Sequence, residues 1–194
     1  SYLVSLYKAM REIRYVPEVV LDDANFYSPI MVAPGNAESD EGLLVRTMYA
    51  PFEEAAEFPG MTSYLDMMET YNPDGKIAGL GLQTTSAFLM FATAANACLD
   101  SNNNVLEREC VLAAGKTITS WTGGGLHSET NPAENRPPKC GIIMGVKGGK
   151  WTRIYPVLGS ADDNANGWHC DENGSVEIVG DFGDVTAGLD PTRP

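Results

Sequence analysis

Residues 21–28, LDDANFYS, set two carboxylates, an amide and two aromatic rings directly after the apolar pair Val19 and Val20. Asp22 and Asp23 can pair with a cationic group, and Asn25 can donate and accept hydrogen bonds. Phe26 and Tyr27 can cover an apolar side chain or a cation. Open α/β sheets place ligand contacts beyond the carboxyl ends of their strands, and the cluster falls there if the preceding apolar run is a strand. Taken by itself, it fits a ligand pocket and an ordinary strand-to-helix turn equally well.

Other chemistry-bearing residues make weaker patterns. Gly115-Lys116-Thr117 resembles the end of a phosphate-binding loop, but Cys110 stands where that motif needs a glycine. The run Gly123–Gly125 follows no strand, so it is no dinucleotide fingerprint. His127 and His169 lie in polar stretches and are expected to be exposed. A metal site would need both to converge with carboxylates such as Glu129 or Asp171, which no spacing requires, so no metal and no cofactor is expected. No Gly-x-Ser-x-Gly elbow and no paired acid/base motif is present, so no catalytic residue is nominated. Asp162 and Asp163 read as a solvated turn, lacking the glycine and glutamate of a calcium loop. Asn173-Gly174-Ser175 matches the glycosylation triplet, which implies a surface position.

The chain has 194 residues, 43% of them hydrophobic, enough for one large domain or pieces of two. Its 26 acidic and 13 basic residues give a formal charge of -13, which repels nucleic acid and anionic membrane surfaces. Cys98, Cys110, Cys140 and Cys170 fit no CxxC pattern. An even count at loop-like positions points to disulfides. Of the three possible pairings the sequential one, Cys98 with Cys110 and Cys140 with Cys170, is favoured. Disulfides imply an oxidising, extracytoplasmic location.

The elements that must position the cluster begin almost at residue one. Leu3, Leu6, Tyr7, Met10 and Ile13 recur at helical spacing, without the basic start, apolar run and cleavage site of a secretion signal. That start suits the middle of a domain. Pro17 ends the helix and EVVLDD reads as a buried strand. Ser28 as N-cap and Pro29 at the first helical position suggest a further helix over IMVA. GLLVRTMY reads as a strand ended by Pro51, and TSYLDMMETY as a helix that stops at NPDG. The stretch 76–100 is apolar on most faces for more than twenty residues. Gln83, Thr84, Thr85, Ser86, Thr93 and Asn96 oppose a membrane span, so a central, buried helix is expected. NVLERECVLAAGKTITSW reads as a helix with Leu106, Val111 and Leu112 on its apolar side. A long loop of breaker residues follows Trp121. GIIMGVK and KWTRIYPV, joined by Gly148-Gly149, make a tight hairpin, and SVEIVGDF a last strand before a polar tail.

In order, SYLVSLYKAMREI, EVVLDD, DEGLLVRTMYAPFE, TSYLDMMETY, GLGLQTTSAFLMFATAANACL and the hairpin GIIMGVKGGKWTRIYP resemble the C-terminal part of a type I periplasmic binding protein. More narrowly, they are similar to the leucine/isoleucine/valine-binding class of ABC-transporter solute receptors. The likeness runs from Ser1 to Val157 and carries no invariant catalytic motif. It implies an α/β fold with parts of two lobes and a C-terminal β-hairpin: 1–45 in the second lobe, 46–135 as a crossover and helices of the first lobe, and 136–194 as the crossover back, hairpin and tail. It implies a non-enzymatic protein that closes its lobes on an amino acid or amide-like solute and is recognised by ABC permease subunits. The protein would lie outside the cytoplasm, secreted or lipid-anchored, as the C-terminal portion of a longer chain. Asp23 best matches the family's acidic residue that pairs with a ligand ammonium, with Asp22 next and Asn25, Phe26 and Tyr27 completing that wall. An extracellular ligand-sensing domain of a signalling receptor is the alternative. A hydrolase on an α/β scaffold ranks below both.

Overall fold

The computed structural model describes residues 2–134 and 138–174. The expected strand SVEIVGDF and the polar tail lie outside the described residues, as does part of NRPPKCGIIMG, the expected crossover back. Among the described residues, α1 (Tyr2–Glu12), β1 (Val20–Asp23), α2 (Ala37–Asp40), β2 (Leu43–Thr47), α3 (Pro59–Tyr71), α4 (Gly79–Ser101) and α5 (Arg108–Gly115) precede β3 (Cys140–Lys147), β4 (Lys150–Tyr155) and β5 (His169–Cys170). The strands form one mixed sheet in the order β1-β2-β3-β4, with β5 also on β3. β1 and β2 are parallel, placing Asp23 opposite Arg46, and the remaining pairs are antiparallel.

β2 shows the alternation of a half-covered strand, with Leu43, Val45 and Thr47 buried and Arg46 exposed. Ile142, Met144 and Val146 of β3 continue that buried surface, and Met31 and Met61 fill the space against it. The turn of the β3–β4 hairpin is Gly148-Gly149, both at positive φ, as a two-residue type I′ connection requires. Arg153 of β4 forms a nearly buried ion pair with Glu54, its Nε 2.9 Å from both carboxylate oxygens. The same guanidinium donates to the Gly167 carbonyl at 2.7 Å. The hairpin is thereby fixed to the turn Phe52–Glu57 and to the loop before β5. Asp163 accepts from the Gly159 and Gly167 amides, so this expected solvated turn is an internally bonded loop whose carboxyl is held below its ordinary value by those bonds.

Cys98 pairs with Cys110 and Cys140 with Cys170, the sequential connectivity. Several expectations change. The strand ending in Asp23 is an edge strand with Leu21 57% exposed, because its outer side has no neighbour among the described residues. On α1 the buried stripe is Leu3, Val4 and Tyr7, while Leu6 and Ile13 face out. No helix forms over IMVA. Ser28–Val32 makes two successive i to i+3 turns, and Trp151 Nε1 holds the Ser28 carbonyl at 3.1 Å, before Pro34 and Gly35 at φ 81° turn the chain. The helix expected from 104 to 121 shortens to α5, leaving Leu106 before it and Leu112 half exposed. α4 forms over its expected length but is not buried all round: Leu80, Phe88 and Phe91 are exposed. Among the described residues no helix is long and apolar enough to cross a membrane.

Candidate functional site

β1 ends at Asp23, whose carboxylate accepts the Asn25 amide at 2.8 Å and caps the 3-10 turn Ala24–Phe26. An aspartate here stops the strand and starts the turn, leaving its side chain exposed at the carboxyl edge of the sheet. Asp22 points to the other face, where Tyr7 Oη donates to its Oδ2 at 2.6 Å. Burial first, then that carboxylate, raises the Tyr7 phenol above its ordinary value. Asp22 is thus tied to α1, while Asp23 faces solvent beside Asn25.

Phe26 is half-buried against the core and meets the Tyr2 ring edge-on at 6.1 Å. Tyr27 departs from the expected wall of the pocket. It is 1% exposed, stacked on Phe52 at 5.0 Å and edge-on to Trp151 at 5.2 Å. Its hydroxyl donates to Glu53 and accepts the Phe52 amide. Burial, and after it the Glu53 charge, holds the Tyr27 phenol far above its ordinary value, and burial also raises the Glu53 carboxyl. Packed against Phe52 and Trp151 and almost wholly buried, Tyr27 anchors the segment from inside.

The N-terminus of α4 closes over this segment. Gly79 donates its amide to the Tyr27 carbonyl at 2.9 Å, and a Cβ at Gly79 would lie 2.7 Å from the Ala24 carbonyl oxygen. Glycine is needed for that approach. One turn later Gln83 donates from Nε2 to Asn25 Oδ1 at 3.0 Å, bridging the strand end to the helix. Along the same face, Ser86 lies 2.8 Å from His127 Nε2. His127 is 3% exposed, against the expectation of an exposed histidine, because Leu126–Ser128 runs beside the Met48–Ala50 segment that leaves β2. His127 Nδ1 lies 2.7 Å from the Ser128 carbonyl, which can only accept, so Nδ1 carries the proton and Nε2 accepts from Ser86. Trp121 Nε1 donates to Ser86 Oγ at 3.0 Å. Burial lowers the His127 pKa and keeps the ring neutral.

Ser86 and His127 have the spacing of a nucleophile and its base. Yet Ser86 is 5% exposed, donates to His127 and accepts from Trp121, so the network ties α4 to the segment Trp121–Ser128. Sequence reading missed it because its members lie 41 residues apart. The available signal was Gly123, whose Cβ would lie 2.6 Å from Ser86 Oγ: the glycine run marks close packing, not a loose loop. His169 is half-buried in β5, its Nδ1 2.8 Å from the Asp162 carbonyl. Among the described residues no cluster of His, Cys, Asp or Glu is arranged to hold a metal ion. A separate cleft of about 210 Å3, lined by Tyr7, Met10, Val20 and Leu43, lies at the opposite end of β1.

A mixed α/β sheet with a late hairpin, a helix seated over the end of its edge strand and the paired segments Met48–Ala50 and Leu126–Ser128 define a portion of the type I periplasmic binding-protein fold. Solved structures share it, among them the following three. A fatty acid ABC transporter substrate-binding protein from Thermomonospora curvata superposes with a TM-score of 0.62 at 19% identity, over 78% of this chain and 39% of that one. A leucine binding protein from Thermotoga maritima gives 0.59 at 16%, over 79% and 41%. A branched chain amino acid ABC transporter from Thermus thermophilus, with bound valine, gives 0.60 at 16%, over 82% and 44%. The chain therefore spans 39–44% of the length of these proteins. No family model matches the sequence, and no curated protein does.

Proposed function

We propose that this chain is part of a non-enzymatic, extracytoplasmic solute-binding component of an ABC importer, secreted or lipid-anchored. In this reading it binds an amino acid or a related small polar compound by lobe closure and presents it to permease subunits. The observation that carries the reading is the Asn25–Gln83 hydrogen bond, which joins the acidic strand end to α4 in a fold whose solved neighbours are named as binding proteins. Asp23 pairs with the ligand ammonium, Asn25 and the edge of Phe26 line the same wall, and Asp22 and Tyr27 support it through Tyr7 and Glu53. The two disulfides support an oxidising location. The division into 1–45 and 136–194 on one lobe, with 46–135 crossing to the other, is supported by the sheet that β1 and β2 share with the hairpin. β2 runs on to Thr47, two residues past the first of those boundaries.

The test is thermal unfolding with a panel of amino acids and amides. A ligand at a hundred times its Kd adds about 2.7 kcal/mol of stability. Wild type gains it from at least one compound, and Asp23→Ala, with an unchanged fold, loses the gain. Equal stabilisation of both proteins sinks the assignment of Asp23.

A further inference from the structure

Of the twelve asparagines in the chain, Asn173 alone has a serine or threonine two residues on, in the triplet Asn173-Gly174-Ser175. The residue between them is glycine, not the proline that would block recognition of the triplet. The structure sets Asn173 apart from other asparagines. Asn25, Asn36 and Asn102 are committed to Gln83, to the Ile30 carbonyl and to the Val105 carbonyl. Asn164 brackets Cys170, donating to its carbonyl at 2.9 Å and accepting its amide at 2.7 Å. Asn173 is exposed, and its side-chain amide makes no hydrogen bond among the described residues.

The turn that carries Asn173 has a fixed base. Cys170 is bonded to Cys140 and held by Asn164, and the Asp171 amide donates to the Lys139 carbonyl at 3.3 Å. Asp171 Oδ1 accepts the Asn173 amide at 2.8 Å, and the Asp171 carbonyl accepts the Gly174 amide at 2.9 Å. These bonds close a β-turn with Asn173 at its third position. A Cβ at Gly174 would lie 2.9 Å from the Lys139 carbonyl oxygen, so glycine lets the turn lie against the residue that precedes β3. The acceptor amide is thus presented at the surface, where a bulky group displaces no bond of the fold.

We propose that Asn173 is the acceptor of an N-linked glycan. The donor is a lipid-linked oligosaccharide, and the partner is a membrane oligosaccharyltransferase that reads the asparagine together with the Ser175 hydroxyl. In the transfer, Asn173 Nδ2 forms a bond to the anomeric carbon of the first sugar and gives up one proton to the transferase. The bond from that carbon to the donor's phosphate oxygen breaks, and the polyprenyl phosphate group leaves with the electron pair. The inference rests on the extracytoplasmic location in the proposed reading, which the disulfides support, and not on the solute site.

The test is mass spectrometry of the protein recovered from outside the cells that make it, with free thiols alkylated before reduction. The peptide carrying residue 173 is expected to exceed the mass of the bare polypeptide, with fragmentation locating the excess on Asn173. Asn173→Gln and Ser175→Ala each abolish the excess, and both keep the pairs Cys98–Cys110 and Cys140–Cys170, which shows that the loss does not come from misfolding. Ser175→Thr, which retains the hydroxyl, retains the glycan. The proposal is overturned by a bare Asn173 in the wild-type protein, by an excess that survives Ser175→Ala, or by its loss in Ser175→Thr. Paired cysteines with a bare Asn173 would overturn this inference while the extracytoplasmic reading stands. Four alkylated thiols would remove that location and the inference with it.

Discussion

In the sheet, Val45, Ile142 and Met144 are completely buried, whereas on α4 the Phe88 ring is 67% exposed and Phe91 51%. The two regions are held by different means. The sheet and its covering segments owe their order to burial, with the Arg153–Glu54 pair locking the hairpin. α4 and α5 keep their places through the Cys98–Cys110 disulfide, the glycine-mediated approach of Gly79 to Ala24, and the Trp121–Ser86–His127 network. The site lies where the two meet, so its geometry depends on these contacts together with Leu82, which α4 buries completely in the core.

The largest expected effect is in the sheet. Glu54→Ala leaves the Arg153 charge, 6% exposed, without its partner and costs about 3–5 kcal/mol in denaturant unfolding. A loss below about 1 kcal/mol would mean that the hairpin does not depend on the pair. In the helical region, the double variant Cys98→Ser/Cys110→Ser costs about 3 kcal/mol by loop entropy. Hydrogen exchange should quicken in α5 and the end of α4 and stay unchanged in β2 and β3; equal quickening would merge the two regions into one cooperative unit. Gly79→Ala, which must push α4 off the Ala24 carbonyl, costs about 1–3 kcal/mol and weakens the Asn25–Gln83 bridge, read from the Gln83 side-chain amide signals.

A smaller effect is a pH dependence. Burial lowers the His127 pKa from its ordinary value of 6.5, so above that pH the ring is neutral in both folded and unfolded chains. As pH falls below it, the unfolded chain takes up a proton that the folded one resists, and stability is lost. Wild type should lose more stability than His127→Gln between about pH 7 and pH 5. Glu53, raised by burial, acts with the opposite sign at lower pH, and it cancels in the difference between the two proteins. Parallel pH profiles would show that the network does not hold a neutral histidine.

Much of the sheet was legible because its signals are local. Gly148-Gly149 between two β-rich runs specifies a hairpin, and Asp23 caps its turn through a bond two residues long. The cysteine pairing followed from loop positions. The rest depends on contacts distant in sequence. Ser28-Pro29 carries a good helix start, but Trp151, 123 residues away, holds the Ser28 carbonyl. Tyr27 reads as a pocket aromatic until Phe52 and Trp151 enclose it. α4 is apolar on most faces, so no periodicity could tell its buried side, Leu82 and Ser86, from its exposed one, Phe88 and Phe91.

The most direct measurement is to map, by backbone-amide NMR, where the first stabilising compound from the amino-acid and amide panel binds. Shifts concentrated at Asp23, Asn25 and Gln83, absent in Asp23→Ala, are the predicted result. Shifts confined to the cleft of Tyr7, Met10 and Leu43 at the other end of β1 would contradict a solute site at the carboxyl edge of the sheet.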